Sequence, residues 1–349
     1  MAKRWRVAVM GLGHWYSAYG MARSMGEYPH AELAAVACRD RKQLDHFTST
    51  FGVPGYDDYK PLLDRENVDI VFIAAPVSEI PEITVLAAAA GKHMVLGKPM
   101  AMTIAEADEM VTAVDKAGVS CFPFQGIHRL IDADLKTRVE RGEIGDLVVL
   151  HQTNRWSIAE DWHNSGTPGW FVDPKHVPGG AFIDEGIYGI DFLSWMAKSD
   201  IVEVDARMAN LVHKELKVED WGMATLTFAN GIIATLEGSW TINSPQKTKP
   251  SPKHNAVVRT ELIGTRGEIV DQIFREPGRA VLAAGASDWV FERKGQSNFG
   301  PRSPFPLNHL VDCLNAAAPT ACSIHDARKD FMVAMAAYRS AKEKKPVRI

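Results

Sequence analysis

"VAVMGLGHWYSA", residues 7–18, decides the fold. The apolar run from Val7 to Met10 reads as a buried strand. It enters Gly11-Leu12-Gly13, and a helical pattern follows from His14. In a dinucleotide-binding turn the first glycine permits the bend. The second lets the backbone approach a pyrophosphate, whose charge meets the N-terminus of the next helix. The third glycine of G-x-G-x-x-G is Tyr16 here. That position normally keeps helix and sheet close, so Tyr16 must push the helix outward or turn sideways.

Outward from this turn, strand and helix signals alternate. Apolar runs at 6–10, 32–38, 68–75, 93–96 and 120–123 suit buried parallel strands. Helical patterns at 14–25, 41–51, 80–90 and 104–117 lie between them. Asp40 and Gly52 punctuate the second helix, Gly91 follows the third, and Thr103 with Glu106 makes a capping box for the fourth. This alternation predicts a doubly wound parallel Rossmann sheet.

The pattern changes near residue 125. A helix, a turn at Gly142–Gly145 and a long strand are followed by "SIAEDWHNSGTPGWFVDPKHVPGG" and a helix at 180–196. "WGMATLTFANGIIATLEGSW" reads as a hairpin, with Asn230-Gly231 signalling a type I′ turn. An antiparallel region to about residue 293 and helices at 306–318 and 325–344 complete the chain. The expected organisation is a cofactor domain, 1–125, and an α+β domain, 126–349, with a large, mostly antiparallel open-faced sheet. The last helix is able to pack back on the first domain.

Composition narrows the function classes. Net charge is −4, so no basic excess points to nucleic acid or an anionic membrane. The run "DIVFIAAPV" is too short to span a bilayer, and the N-terminus lacks a signal-peptide pattern. Cys38, Cys121, Cys313 and Cys322 form no C-x-x-C pair and read as reduced thiols of a cytoplasmic protein. The 12 histidines are scattered without zinc spacing, so no metal is expected.

The cofactor choice rests on "AAVACRDRK". An acid at the Cys38 position would hold the adenosine ribose of NAD and repel a 2′-phosphate. Cys38 does neither. Arg39 can lie over the adenine and pair with that phosphate, so NADP is favoured over NAD, with Asp40 the opposing signal.

Further motifs carry a resemblance. "VDIVFIAAP", "AAAAGKHMVLGKPMAMT", "RGEIGDLV", "PGGAFIDEGIYGIDF", "LTFANGIIATLEGSW", "LIGTRGEI" and "AYRSAKEKKPVRI" occur in an order that resembles the glucose–fructose oxidoreductase / inositol dehydrogenase / rhizopine catabolism (Gfo/Idh/MocA) family over nearly the whole chain. In that family a Glu-Lys-Pro motif sets its lysine beside nicotinamide and substrate. Here the motif is Gly97-Lys98-Pro99. The pattern Asp-x-Gly-x-His-x-x-Asp becomes Asp184 to Asp191 with Tyr188 in place of histidine, as in the glucose–fructose oxidoreductase branch. A histidine four residues after the third-strand proline is Ile80 here. The resemblance implies a homodimer or homotetramer joined through the open sheet face.

The residues suit hydride transfer at a CH–OH/C=O carbon, which needs a group to exchange the hydroxyl proton. Lys98 ends a parallel strand, where such folds hold ligands. Asp184 and Tyr188 share one helix face. These three are the candidate catalytic and substrate-binding groups. A nearby lysine would lower the pKa of Tyr188 and make it the proton carrier; alternatively Lys98 carries the proton and Tyr188 donates a hydrogen bond. Gly11, Gly13, His14, Trp15, Cys38, Arg39, Ala75, Pro76, Lys98, Pro99 and Gln125 are candidate cofactor contacts. His128, Arg155, Trp162 and His163 are further candidate substrate contacts, since aromatic faces beside polar groups suit sugars and polyols. Arg129 reads equally well as half of a buried ion pair.

Two function classes follow. One is an NAD(P)-dependent oxidoreductase of a sugar, polyol or sugar derivative. The other is a non-catalytic dinucleotide-binding regulator, suggested by the lost glutamate, glycine and histidine. Retention of Lys98, Asp184 and Tyr188 favours the enzyme.

Overall fold

A computed structural model describes residues 3–158, 169–242, 256–273, 278–293 and 305–349. Trp162 and His163 lie outside the described residues. The chain forms two compact units. The first is Met1–Ile127 with Lys175–Pro178 and Asn298–Arg328, and the second is His128–Pro174 with Gly179–Ser297 and Lys329–Ile349.

The first unit holds six parallel strands: β1 (Trp5–Met10), β2 (Ala31–Ala37), β3 (Gly55–Tyr56), β4 (Ile70–Ile73), β5 (His93–Leu96) and β6 (Cys121–Pro123). Their order, β3-β2-β1-β4-β5-β6, is that of a dinucleotide-binding sheet and reverses between β1 and β4. Its helices are α1 (Trp15–Met25), α2 (Arg41–Phe51), α3 (Tyr59–Arg65), α4 (Ile80–Ala89) and α5 (Ile104–Ala117). The expected punctuation is present. The Asp40 carboxylate accepts from Gln43 N at 3.0 Å, Gly52 closes α2 with φ +68°, and Thr103 and Glu106 form the reciprocal capping box. Sequence reading missed β3 and α3. A two-residue strand has no readable period, and α3 is only seven residues long.

The second unit opens with α6 (Ile127–Ile131), α7 (Ala133–Glu140), β7 (Leu147–Trp156) and α8 (Ala181–Ala197). The strands β8 (Ile201–Ala209), β9 (Trp221–Phe228), β10 (Ile233–Ser239), β11 (Ala256–Gly264), β12 (Glu268–Ile273), β13 (Gly278–Leu282) and β14 (Val290–Arg293) follow. Helix α9 (Phe305–Ala316) belongs to the first unit, where Leu307, Leu310 and Val311 join the core around Val7 and Ile70. Helix α10 (Ile324–Glu343) leads to β15 (Val347–Arg348). The nine-stranded sheet has the order β14-β13-β12-β11-β7-β10-β9-β8-β15. Its neighbours are antiparallel except β7 and β10, which are parallel.

The β9–β10 hairpin forms, but its turn is not type I′. Only Gly231 has positive φ there, at +88°. Gly231 N donates to Phe228 O at 3.0 Å, and Phe228 N donates to Ile232 O at 2.9 Å. The loop is therefore Ala229-Asn230-Gly231, a turn ending in a left-handed glycine rather than a two-residue connection.

Helix α8 lies close on one sheet face. A Cβ at Gly238 would stand 2.9 Å from the Gly186 nitrogen. Asn154 Nδ2 donates to Glu185 O at 2.9 Å and Gln152 Nε2 donates to Asn154 Oδ1 at 2.9 Å, so even positions of β7 face α8. Both helix ends are met by charges of favourable sign. Glu219 accepts from Gly180 N and Phe182 N, each at 3.0 Å. Lys136 Nζ donates to Trp195 O at 2.6 Å and Met196 O at 3.2 Å. Burial, then the nearby Lys198 charge, pushes the Lys136 pKa down to about 8.

Candidate active site

In the first unit the turn after β1 forms a glycine cradle. Gly11 has φ +77°, and a Cβ there would stand 2.4 Å from Ala75. At Gly13 a Cβ would stand 2.7 Å from Pro76. Side chains are thus excluded at both positions by the chain leaving β4, so backbone alone is presented there at the turn into α1. His14 N donates to Ala74 O at 2.8 Å, tying turn to strand, and exposed Trp15 begins the helix. Tyr16 turns sideways: its hydroxyl lies 3.1 Å from His14 Nδ1. Ala18 supplies the buried contact behind the turn. This cradle fits a dinucleotide pyrophosphate.

Buried Cys38 follows β2, and burial pushes its thiol pKa up. Arg39 lies 4.7 Å from the Tyr59 ring centre. Its guanidinium pairs with both Glu82 oxygens, at 2.7 and 2.8 Å, and with Asp58 at 2.9 Å. Neither carboxylate was foreseen, because Glu82 comes from a distant turn of sequence and carries no local signal. Gln125 is buried at the start of the chain beyond β6.

Lys98 follows β5, is 7% exposed, and precedes Pro99 through a cis peptide bond. A Cβ at Gly97 would lie 3.0 Å from Ile73 O and 3.1 Å from Ile80 Cδ1. The two departures from the family pattern beside Lys98 are therefore in contact.

In the second unit, residues 181–193 are buried except Asp184 and Tyr188. One turn separates them, so the helix offers a single polar, accessible edge. Asp184 Oδ2 accepts from the indole nitrogen of Trp240 at 3.0 Å. The Tyr188 ring meets His128 edge-on at 6.0 Å, and His128 Nδ1 lies 2.9 Å from Asp132. Burial, then the charges of Glu185 and Asp184, push the Tyr188 pKa well above 10. That is opposite to the lowering expected from a lysine, and it keeps a neutral phenol.

Arg129 is an ion-pair residue, donating to Asp191 at 2.7 and 3.1 Å. Arg155 does not join the Asp184 edge. As an odd position of β7 it points to the face away from α8, 3.8 Å from Glu237. Trp240 was also missed, although it closes the quoted "LEGSW" strand. Among the described residues no cluster of three His, Cys, Asp or Glu could hold a metal ion.

Sheet order, cradle and a buried lysine at a strand end define a dinucleotide-dependent oxidoreductase. Residues 5–125 match the oxidoreductase family with an NAD-binding Rossmann fold, and residues 133–270 match the GFO/IDH/MocA C-terminal domain. The chain belongs to the Gfo/Idh/MocA oxidoreductase family. It is 26% identical to scyllo-inositol 2-dehydrogenase (NAD(+)) of Bacillus subtilis, over 99% of this chain and 96% of that protein. Identity to levoglucosan dehydrogenase of Pseudarthrobacter phenanthrenivorans is also 26%, over 85% and 77%. The structure of a levoglucosan dehydrogenase with NADH and levoglucosan superposes with a TM-score of 0.85, at 20% identity, over 99% of this chain and 100% of that one. The dehydrogenase relatives give the regulatory reading no support.

Proposed function

We propose that this enzyme exchanges a hydride between NADP and a secondary alcohol carbon of a sugar or polyol. The observation that carries the site is the stretch 181–193 of α8, where Asp184 and Tyr188 are partly exposed and every other residue is buried. When bound, the nicotinamide supplies the hydride acceptor or donor. In the oxidation direction the C–H bond breaks and its electron pair leaves as hydride. The hydroxyl proton passes to neutral Lys98 Nζ, and the carbon–oxygen double bond forms. In reduction the Lys98 ammonium returns that proton. A lysine largely withdrawn from water suits this exchange. Tyr188, held as a phenol, donates a hydrogen bond to the reacting oxygen, and Asp184 accepts one from a neighbouring hydroxyl. His128 backs the Tyr188 ring.

Gly11, Gly13 and the start of α1 would hold the pyrophosphate, with Ala75, Pro76 and Pro99 along the cofactor. Arg39 and the absence of an acid at Cys38 support NADP over NAD. A 2′-phosphate would take over donors that Asp58 and Glu82 occupy. Those carboxylates are half exposed, which leaves the Arg39 guanidinium within reach of solvent.

The division of labour we infer is cofactor binding on 1–125, and substrate binding and subunit contacts on 126–349. Met223 and Ile233, 43% and 47% exposed on the sheet face away from α8, support association through that face. The four buried cysteines, none of them in a disulfide, support a reducing, cytoplasmic setting.

The test is turnover of myo-inositol, levoglucosan and methyl glucosides with NADP and with NAD. Reduction of the nucleotide by at least one compound, faster with NADP, is expected. No reduction with any of them would overturn the assignment.

A further inference from the structure

Acids enclose the Arg39 guanidinium. Its Nη1 and Nη2 donate to Glu82 Oε2 and Oε1 at 2.8 and 2.7 Å. Its Nε and Nη2 donate to Asp58 Oδ1 at 3.2 and 2.9 Å. These bonds use four of the five N–H groups of the side chain. Nη1 also lies 4.0 Å from Glu79 Oε2. Three carboxylates therefore face one cation. Both guanidinium edges that offer two parallel N–H groups to a phosphate are taken.

The three acids are not equivalent. Asp58 caps α3 by accepting from Tyr59 N at 2.9 Å. Glu79 accepts from the Tyr59 hydroxyl, and the buried Tyr59 ring is the one on which Arg39 lies. Both acids therefore serve the local fold. Glu82 stands in the first turn of α4, its side chain 46% exposed and bonded to Arg39. It reaches Arg39 from beyond β4, whereas the acid that reads the adenosine ribose in such folds stands after β2.

We propose that Glu82 is a specificity-determining residue that limits the preference for NADP: its carboxylate holds the Arg39 edge that a 2′-phosphate needs. This rests on NADP being the cofactor and Arg39 its phosphate partner, as proposed above. A 2′-phosphate must displace Glu82 from Nη1 and Nη2, and the displaced carboxylate then repels it as a like charge. NAD carries a hydroxyl there and leaves the fork intact. Removing the Glu82 charge therefore strengthens NADP binding and leaves NAD binding alone. Because the pair is half exposed, the gain is about a few-fold rather than a hundred-fold.

The experiment measures the Kd of NADP and of NAD by titration calorimetry for wild type, E82Q, D57N, R39A and R39A/E82Q. Asp57 is exposed and next to Asp58 in the chain, so D57N removes a nearby charge without removing a bond to Arg39. In E82Q the Kd of NADP is expected to fall about five-fold, with that of NAD within about two-fold. The retained NAD affinity reports that the variant is folded. D57N is expected to change either Kd by less than about two-fold, and E82Q to add less than about two-fold in the R39A background. Unchanged or weaker NADP binding by E82Q, an equal gain in D57N, or the full gain in R39A would each show that Glu82 does not compete for Arg39. If wild type binds NAD more tightly than NADP, or R39A leaves NADP affinity unchanged, the cofactor assignment fails and takes this proposal with it.

Discussion

Gly97 and Ile80 touch, and each stands where the family pattern carries a polar residue. Apolar Ile80 fills space beside the chain that leads to Lys98. A glutamate restored alone must enter that space against Ile80 Cδ1 and the Ile73 carbonyl. G97E is therefore expected to lose about 1–3 kcal/mol of stability, and I80H in the same chain to recover part of it. Thermal unfolding of the single and double variants checks this; strictly additive losses would show that the two sites are independent. Arg39 gives a second residue-scale test. R39A is expected to raise KM for NADP about ten-fold or more while changing KM for NAD less than about three-fold. Residues whose role is written in local backbone demands, such as Gly11 and Gly13, were legible in the sequence. Those defined by long-range partners were not. The Glu82 and Asp58 fork on Arg39, the Gly97–Ile80 contact and the Trp240–Asp184 bond each join positions far apart in the chain. The face that Arg155 occupies was not legible either, because residue type says nothing about which face a strand position takes.

At the scale of elements, α8 is the mount of the proposed site, and charges meet it at both ends. Lys136 gives a pH signature. Its ammonium is disfavoured when folded, so it releases its proton near pH 8, against 10.5 for a lysine in water. Between those values the unfolded chain binds more protons than the folded one, so this residue makes stability rise with pH. Relative to K136M, wild type is expected to gain about 2 kcal/mol on going from pH 8 to 10. Denaturant unfolding at the two pH values measures the difference. A flat difference would mean that Lys136 is not desolvated. Element types were largely readable, because buried parallel strands and amphipathic helices have distinct periods. The β9–β10 turn was not, since Asn-Gly fits either loop length and only the pairing of Phe228 with Ile232 selects the longer one.

For the whole molecule, the doubly wound parallel character of the first sheet followed from the alternation of strand and helix. The pairing of β7 with β10 as parallel neighbours did not, because the sequence alone does not order strands across a mixed sheet. Association through the open sheet face predicts a dimer or tetramer by light scattering. Charges introduced by M223E and I233E are expected to shift it toward monomer without lowering nucleotide affinity; a wild-type monomer would contradict association through that face. Proton exchange between Lys98 and substrate is the step on which the proposed activity turns. Its most direct test is kcat/KM of K98M with the best substrate, alongside nucleotide affinity and melting temperature. A loss of about 100-fold or more, with nucleotide binding and fold retained, is predicted. Turnover by folded K98M within a few-fold of wild type would contradict it.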